Sequence, residues 1–377
     1  MTVALKDITI DNFREAIRLK VAPEQEHFVA PNVRSIFTNE LSIDGIEIHD
    51  MPNVPGLIFR HSRGDGDYPG MVAALNASET ANGVERIATV DEITNNYAHL
   101  VNCDLARDLI IAEVDGVIVG YSRVEWWQES AGERLYSHIG FLRPEWRRKR
   151  IGAAMLKWSQ DRLRQIASEH PEDGLRRFQG FASDTAVGLE AMLRNDGYEA
   201  VRHFYLMVRP DLENTPDFPM PEGLEVRPVN PEHYRAIWDA DVEAFRDHWG
   251  HAPPTEEDFQ RWINDKVIFT PELWKVAWDV EKNEVAGQVR GFINHEENKA
   301  FNRKRGWCEF ISTRRPWRKR GVAHALIALT LREFKARGMA ESALGVDTEN
   351  LSGALRVYED CGFRAVKRDS VYRKPLE

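Results

Sequence analysis

Cysteine is scarce in this chain: Cys103, Cys308 and Cys361 stand far apart, with no CxxC pair and no histidine-rich spacing. That scarcity excludes a disulfide framework, argues against a structural zinc site, and fits a reducing compartment such as the cytoplasm. Long apolar runs are missing too. No stretch approaches the length needed to span a bilayer, and "MTVALKDITIDNF" lacks the basic-then-apolar pattern of a secretion signal. A basic surplus is also absent. The formal charge of −10 excludes a general nucleic-acid binder, because phosphate neutralisation needs clustered positive charge. What remains is a water-soluble cytoplasmic protein with no partner in membrane or nucleic acid. Its 377 residues, 42% of them hydrophobic, are enough for two domains with separate cores.

Two basic runs stand out, "RPEWRRKRIGAAML" from Arg143 and "RRPWRKRGVAHAL" from Arg314. Their surroundings match in order. "PGLIFR" at Pro55 answers "EGLEVR" at Glu222, each a short strand, and each is followed by two amphipathic helices. Thr255 is placed to cap the second of these helices in the later copy. Hairpins follow, with predicted turns at Asp115-Gly116 and Lys282-Asn283. A strand then enters each basic run, a long helix leaves it, and "NDGYEAVRHFYLMVR" or "DCGFRAVKRDSVYRK" closes each half. Leu57 to Arg209 and Leu224 to Leu376 each span 153 residues. A tandem duplication accounts for this equality. The predicted division is an extension at 1–54, a first domain at 55–210, a Pro-rich linker at 211–222 and a second domain at 223–377. The element order predicts an α/β (α+β) fold, each half a mixed, mostly antiparallel sheet with helices on both faces.

A tight turn that feeds a helix beginning with small residues leaves backbone N–H groups free to hold an anion. The second copy offers Arg318-x-x-Gly321-x-Ala323 at such a turn. This stretch resembles the R/Q-x-x-G-x-G/A pyrophosphate loop of the GNAT superfamily of acetyl-CoA-dependent N-acetyltransferases. "DTENLSGALRVYEDCGF", with Asn350, Tyr358, Gly362 and Phe363, is similar to that family's second signature. The resemblance extends over both repeats and is more specific in the second. It implies acetyl-CoA as co-substrate, no metal, and a small-molecule amine as acceptor, handled by a monomer or homodimer.

By the same resemblance, Tyr358 is the general acid that protonates the leaving thiolate; a phenol is protonated at neutral pH, which suits the role. Glu309, on the strand before the loop, is the candidate base, acting directly or through a water. Strand alternation predicts that Glu309, Ile311 and Thr313 share one face. Backbone groups from Phe310 to Thr313 are expected to pair with the pantetheine arm, and Arg318, Lys319, Arg320, Gly321, Val322 and Ala323 to surround the diphosphate. Asn350 either hydrogen-bonds the cofactor or caps its helix.

When the first repeat is laid on the second, His138 stands at Glu309, Arg147 at Arg318, Arg150 at Gly321, Gly152 at Ala323, Thr185 at Asn350 and Leu193 at Tyr358. A leucine cannot protonate a thiolate. An arginine at the first glycine either crowds the diphosphate or demands a different loop path. The first half therefore reads as degenerate and the second as catalytic. Rival readings are a non-catalytic acyl-CoA sensor or scaffold, and an enzyme that acetylates a protein amine. Trp126, Trp127, Trp249, Trp274, Trp278 and Trp307 belong to a core, a domain interface or a substrate cleft. "VAPEQEHFVAPN", at residues 21–32, faintly resembles the opening of some polyamine acetyltransferases.

Overall fold

The computed structural model describes residues 41–43, 46–48, 51–350 and 353–377. The stretch at 21–32 lies outside the described residues. A hairpin of β1 (Leu41–Ile43) and β2 (Ile46–Ile48) precedes the repeats, and its Ile46 and Ile48 are buried in the core of the first half.

The first half runs β3 (Leu57–His61), α1 (Tyr68–Ala81), α2 (Val90–Ala98), β4 (Leu109–Val114), β5 (Val117–Gln128), β6 (Arg134–Leu142), α3 (Ile151–Ser168), β7 (Arg176–Ser183), α4 (Val187–Asn195) and β8 (Glu199–Arg209). The second runs β9 (Leu224–Arg227), α5 (Tyr234–Phe245), α6 (Glu256–Ile263), β10 (Lys275–Asp279), β11 (Glu284–Phe292), α7 (His295–Ala300), β12 (Arg305–Thr313), α8 (Val322–Ala336), β13 (Glu341–Asp347), α9 (Ala354–Asp360) and β14 (Arg364–Pro375). The predicted order therefore recurs, with α7 added in the second half. No helix among the described residues is long and apolar enough to cross a membrane.

Local chemistry sets the element ends. Thr255 caps α6 in a reciprocal box with Asp258. Asp115 and Gly116 both take positive φ, 48° and 81°, the geometry that a two-residue hairpin turn requires. The expected two-residue turn at Lys282-Asn283 is instead a four-residue connection. Asp279 Oδ1 accepts the N–H groups of Glu281 and Lys282, and only Asn283 is left-handed.

All twelve strands after β2 join one sheet, in the order β3-β4-β5-β6-β7-β14-β8-β13-β12-β11-β10-β9. The closing strands are exchanged. β8, from the first half, pairs with β13 of the second, while β14 pairs with β7 of the first; β8 and β14 meet in the middle. Among the described residues, only β6–β7 and β12–β13 are parallel pairs. In the first half, α3 covers one face of the sheet, and α1 and α2 cover the other. In the second, α8 and α9 cover one face, and α5 and α6 the other. Trp274 and Trp278 are buried under α5 and α6. Trp249 sits between Arg202 of β8 and Arg373 of β14, so it marks the junction of the halves. The Pro-rich connection is docked rather than loose: Leu212 is buried, Phe218 and Met220 pack on the second core, and Arg332 of α8 reaches Pro216 and Asp217.

Candidate active site

The two basic loops have the same backbone. Arg148 and Lys319 have φ of 60° and 59°, and Arg150 and Gly321 have φ of 68° and 91°. Arg150 thus holds a left-handed conformation that a non-glycine side chain adopts rarely, and the loop path does not change. At Gly321 a Cβ would meet nothing within 4 Å, so the space above the second loop is open. The first backbone bond of α8 runs from Ala325 N–H to Gly321 C=O, which leaves the N–H groups of the preceding turn facing outward. Arg318 is not free to pair with phosphate through its whole fork: its Nε donates to Thr313 O and its Nη2 to Ala244 O, both at 2.9 Å. It pins the loop to α5. Arg320 points elsewhere. It donates to Glu222 O at 2.9 Å and takes no part in lining the cavity beside the loop.

That cavity, of about 950 Å³, opens at the loop and runs through the sheet. It exists because β12 and β13 pair only from Arg305 to Trp307 and then part. Phe310, at φ 50°, forms a bulge: Arg290 lies opposite Glu309, yet Gln288 lies opposite Ser312. A bulge bends its strand and shifts the alternation of faces. This overturns the prediction that Glu309, Ile311 and Thr313 share a face. Thr313 pairs with Gly287, whose face meets Val322 of α8, and Ile311 packs on the core under α8. Glu309 pairs with Arg290, which faces Asp241 of α5. All three still line the cavity, from opposite sides of the opened seam.

Glu309 takes the place of a missing strand partner. Its Oε1 accepts the Gly345 N–H of β13 at 2.8 Å. Burial pushes its carboxyl up to about 7, although the N–H groups of Gly345 and Phe310 pull it down. Across the seam, Tyr358 of α9 is 7% exposed and lines the cavity, and its hydroxyl has no hydrogen-bond partner among the described residues. Burial, then the charge of Glu309, raises its phenol well above the ordinary value. Asn350 lines the cavity but does not cap α9. The cap is Gly353, at φ 77°, three residues on. Lys319, Gly321, Val322 and Ala323 are also in the lining.

The exchanged strand builds much of this site. Arg209, at the end of β8, donates to Cys361 O at 2.5 Å and so holds the C-terminus of α9. Arg202 forks onto Asp347 of β13 with two bonds of 2.8 Å. Phe204, Tyr205 and Leu206 line the cavity, as do Val84, Glu85 and Arg86 from the α1–α2 loop of the first half. That loop is clamped to the second half by Arg303 and Arg305 on Glu85, and by Lys367 on Gly83 O. Asp347, Asp369, His248 and Trp307 also line the cavity and carry no motif of their own. Asp347 opens the stretch that contains Asn350, and Trp307 is among the tryptophans open to a cleft role; Asp369 and His248 have no such reading.

The matching seam of the first half is filled. β6 and β7 pair from Arg134 to Ser137. Beyond that point buried His138 hydrogen-bonds Tyr198 OH at 2.8 Å. A Cβ at Gly180 would lie 3.1 Å from His138 and 3.3 Å from Leu193. Burial lowers the His138 imidazole to about 4, so it is a neutral core residue. Among the described residues no group of three or more His, Cys, Asp or Glu is placed to hold a metal ion.

Residues 234–363 match the model of the Acetyltransferase (GNAT) family. A mycothiol acetyltransferase from Thermomonospora curvata is 24% identical over 326 residues, which span 85% of this chain and 97% of that protein. A GCN5-related N-acetyltransferase structure from Sphaerobacter thermophilus is similar at TM-score 0.63 and 24% identity, covering 85% of this chain and 96% of the other. A tandem GNAT protein from the clavulanic acid biosynthesis pathway matches at TM-score 0.60 and 13% identity, over 85% of this chain and 99% of that one.

Proposed function

Since the chain belongs to the GNAT acetyltransferases and is an N-acetyltransferase that draws on acetyl-CoA, we propose that its second half transfers the acetyl group to a primary amine of a small molecule by direct attack. The observation that carries this reading is the pairing of Glu309 and Tyr358 across one opened seam, directly beside the loop at Gly321. The loop N–H groups and Lys319 hold the diphosphate, and the parted edge of β12 takes the pantetheine arm as an added strand. Glu309 removes a proton from the acceptor ammonium. The neutral nitrogen attacks the thioester carbonyl carbon, the tetrahedral adduct collapses with cleavage of the C–S bond as Tyr358 gives its proton to the sulfur, and the second proton shed by the acylated nitrogen restores the phenol. The products are the amide and free coenzyme A. The relatives are called mycothiol acetyltransferases.

The base role has a pH signature. Glu309 acts as a carboxylate, so kcat/KM should climb through about pH 7 and level off above it, following the raised carboxyl. Glu309→Gln, which still accepts from Gly345, should remove that ascending limb. A limb that survives in the variant would assign the proton to another group.

The first half, in this reading, holds no acetyl-CoA. His138, Tyr198 and Leu193 occupy the space where the arm would run. Calorimetric titration with coenzyme A should therefore give one site per chain; two sites would overturn the degenerate assignment.

A further inference from the structure

The cavity continues past Glu309, and strand register shows where it leads. Gly345 pairs with Leu206 and Asp347 with Phe204; across β8, Lys367 and Asp369 of β14 pair with those same two residues. Partners in register point to one face. Val346 and Tyr205, between them, face the core that contains Tyr358. Gly345, Asp347, Lys367 and Asp369 therefore belong to the opposite face, the one on which Glu309 lies. Lys367 and Asp369 line the far end of the cavity, and the loop Val84 to Arg86 closes its edge.

Most charges in this chamber are already matched. Asp347 is held by Arg202, Glu297 by Arg303, Glu85 by Arg303 and Arg305, and Arg86 by Glu92. Lys367 turns its ammonium to the carbonyl of Gly83. Asp369 differs: it forms no ion pair among the described residues. Ser183 lies opposite it across the strand pair and Lys367 is near, but Asp184 and Glu79 add two more negative charges beside it. Asp369 is exposed at the cavity and Glu79 is half-buried; desolvation by the surrounding walls still raises both carboxyls, and the charge of Asp369 raises Glu79 further. Arg86 and Arg147, also near Glu79, are engaged by Glu92 and by Ser78.

We propose that Asp369 is a specificity-determining residue that binds a second ammonium of the acceptor, remote from the amine that reacts at Glu309. The preferred acceptors are then diamines or longer polyamines. Gly345, which holds Glu309, and Asp369 are two strand spacings and one residue pair apart, so the two nitrogens should lie roughly 10 Å from each other. This inference rests on the acetyl-transfer reading and deepens it. It also gives the first half a part in acceptor choice, because its loop and its exchanged strand wall the chamber in which the second ammonium binds.

The experiment compares octane-1,8-diamine, octylamine and butane-1,4-diamine as acceptors for the full chain, with release of free thiol as the signal. The ratio of kcat/KM for octane-1,8-diamine over octylamine should be about tenfold or more, as one charge-assisted contact supplies. Butane-1,4-diamine is too short to span the sites and should share in none of that advantage. Asp369→Asn should bring the ratio near one, while Asp369→Glu, which keeps the charge, should retain most of it. A ratio near one in the native protein, or a ratio unmoved in Asp369→Asn, overturns the proposal. Calorimetric titration of the coenzyme A complex with octane-1,8-diamine separates the two readings. Binding that is lost in Asp369→Asn supports the second-ammonium site even if no amine releases thiol, a result that would sink acetyl transfer alone. No binding and no turnover of the diamine, with other amines acetylated, sinks this proposal alone.

Discussion

Tyr358→Phe should lower kcat for acetyl transfer by about 100-fold or more while coenzyme A affinity stays near native, because only one hydroxyl is removed and general acid catalysis contributes on that scale. The ring remains to fill the core beside Cys361 and Phe363, so the fold should be retained. The leaving thiolate must then take its proton from solvent. Leu193→Met, at the equivalent place in the first half, conserves volume in a fully buried position and should leave turnover close to native. Steady-state thiol release on both variants checks the pair. Equal loss in both, or native rates in Tyr358→Phe, would remove the phenol from the mechanism. The alkaline limb of the pH profile offers a second test, since the phenol is raised by burial and by Glu309 and its deprotonation should fall above the range in which Glu309 titrates.

The parts of this site that were legible in the sequence are those encoded within one strand-turn-helix. Gly321 announces a left-handed turn, the small residues after it announce an exposed helix start, and Tyr358 stands at a set distance before Gly362. Gly362 itself is needed at φ 86°, with Arg209 Nη1 only 2.0 Å from where a Cβ would be. The duplication was legible for the same reason, since equal lengths and matching order need no tertiary knowledge. The bulge at Phe310 was not, because nothing in "CEFIST" breaks alternation; the register of β12 on β11 does. Arg320 looked like Arg318 in sequence, yet one serves the linker and the other pins the loop. Asp369 and the Val84–Arg86 loop had no signal at all, because their place at the cavity depends on which half each closing strand joins.

That exchange sets the last expectation, that neither half will work or fold alone. Cutting the chain in the 211–222 connection and expressing 211–377 by itself removes β8. β13 loses its neighbour, Asp347 loses Arg202 and α9 loses Arg209. Expressing 1–210 by itself removes β14 from between β7 and β8, along with Arg373, whose guanidinium balances buried Glu129 at 2.5 Å and Glu133 at 2.6 Å. Breaking such a buried pair costs about 3–5 kcal/mol. Losing the buried Met207, Val208 or Val371 contacts costs about 1.5–3 kcal/mol for each side chain. Together these losses rival the ~5–15 kcal/mol that holds a whole domain. The separate fragments should be insoluble or unfolded by circular dichroism, with no thiol release, whereas co-expression of the two should restore a non-covalent, active complex. A fragment 211–377 with native activity would mean that the second half completes its sheet without the exchanged strand, and the first half would then have no part in building the active site.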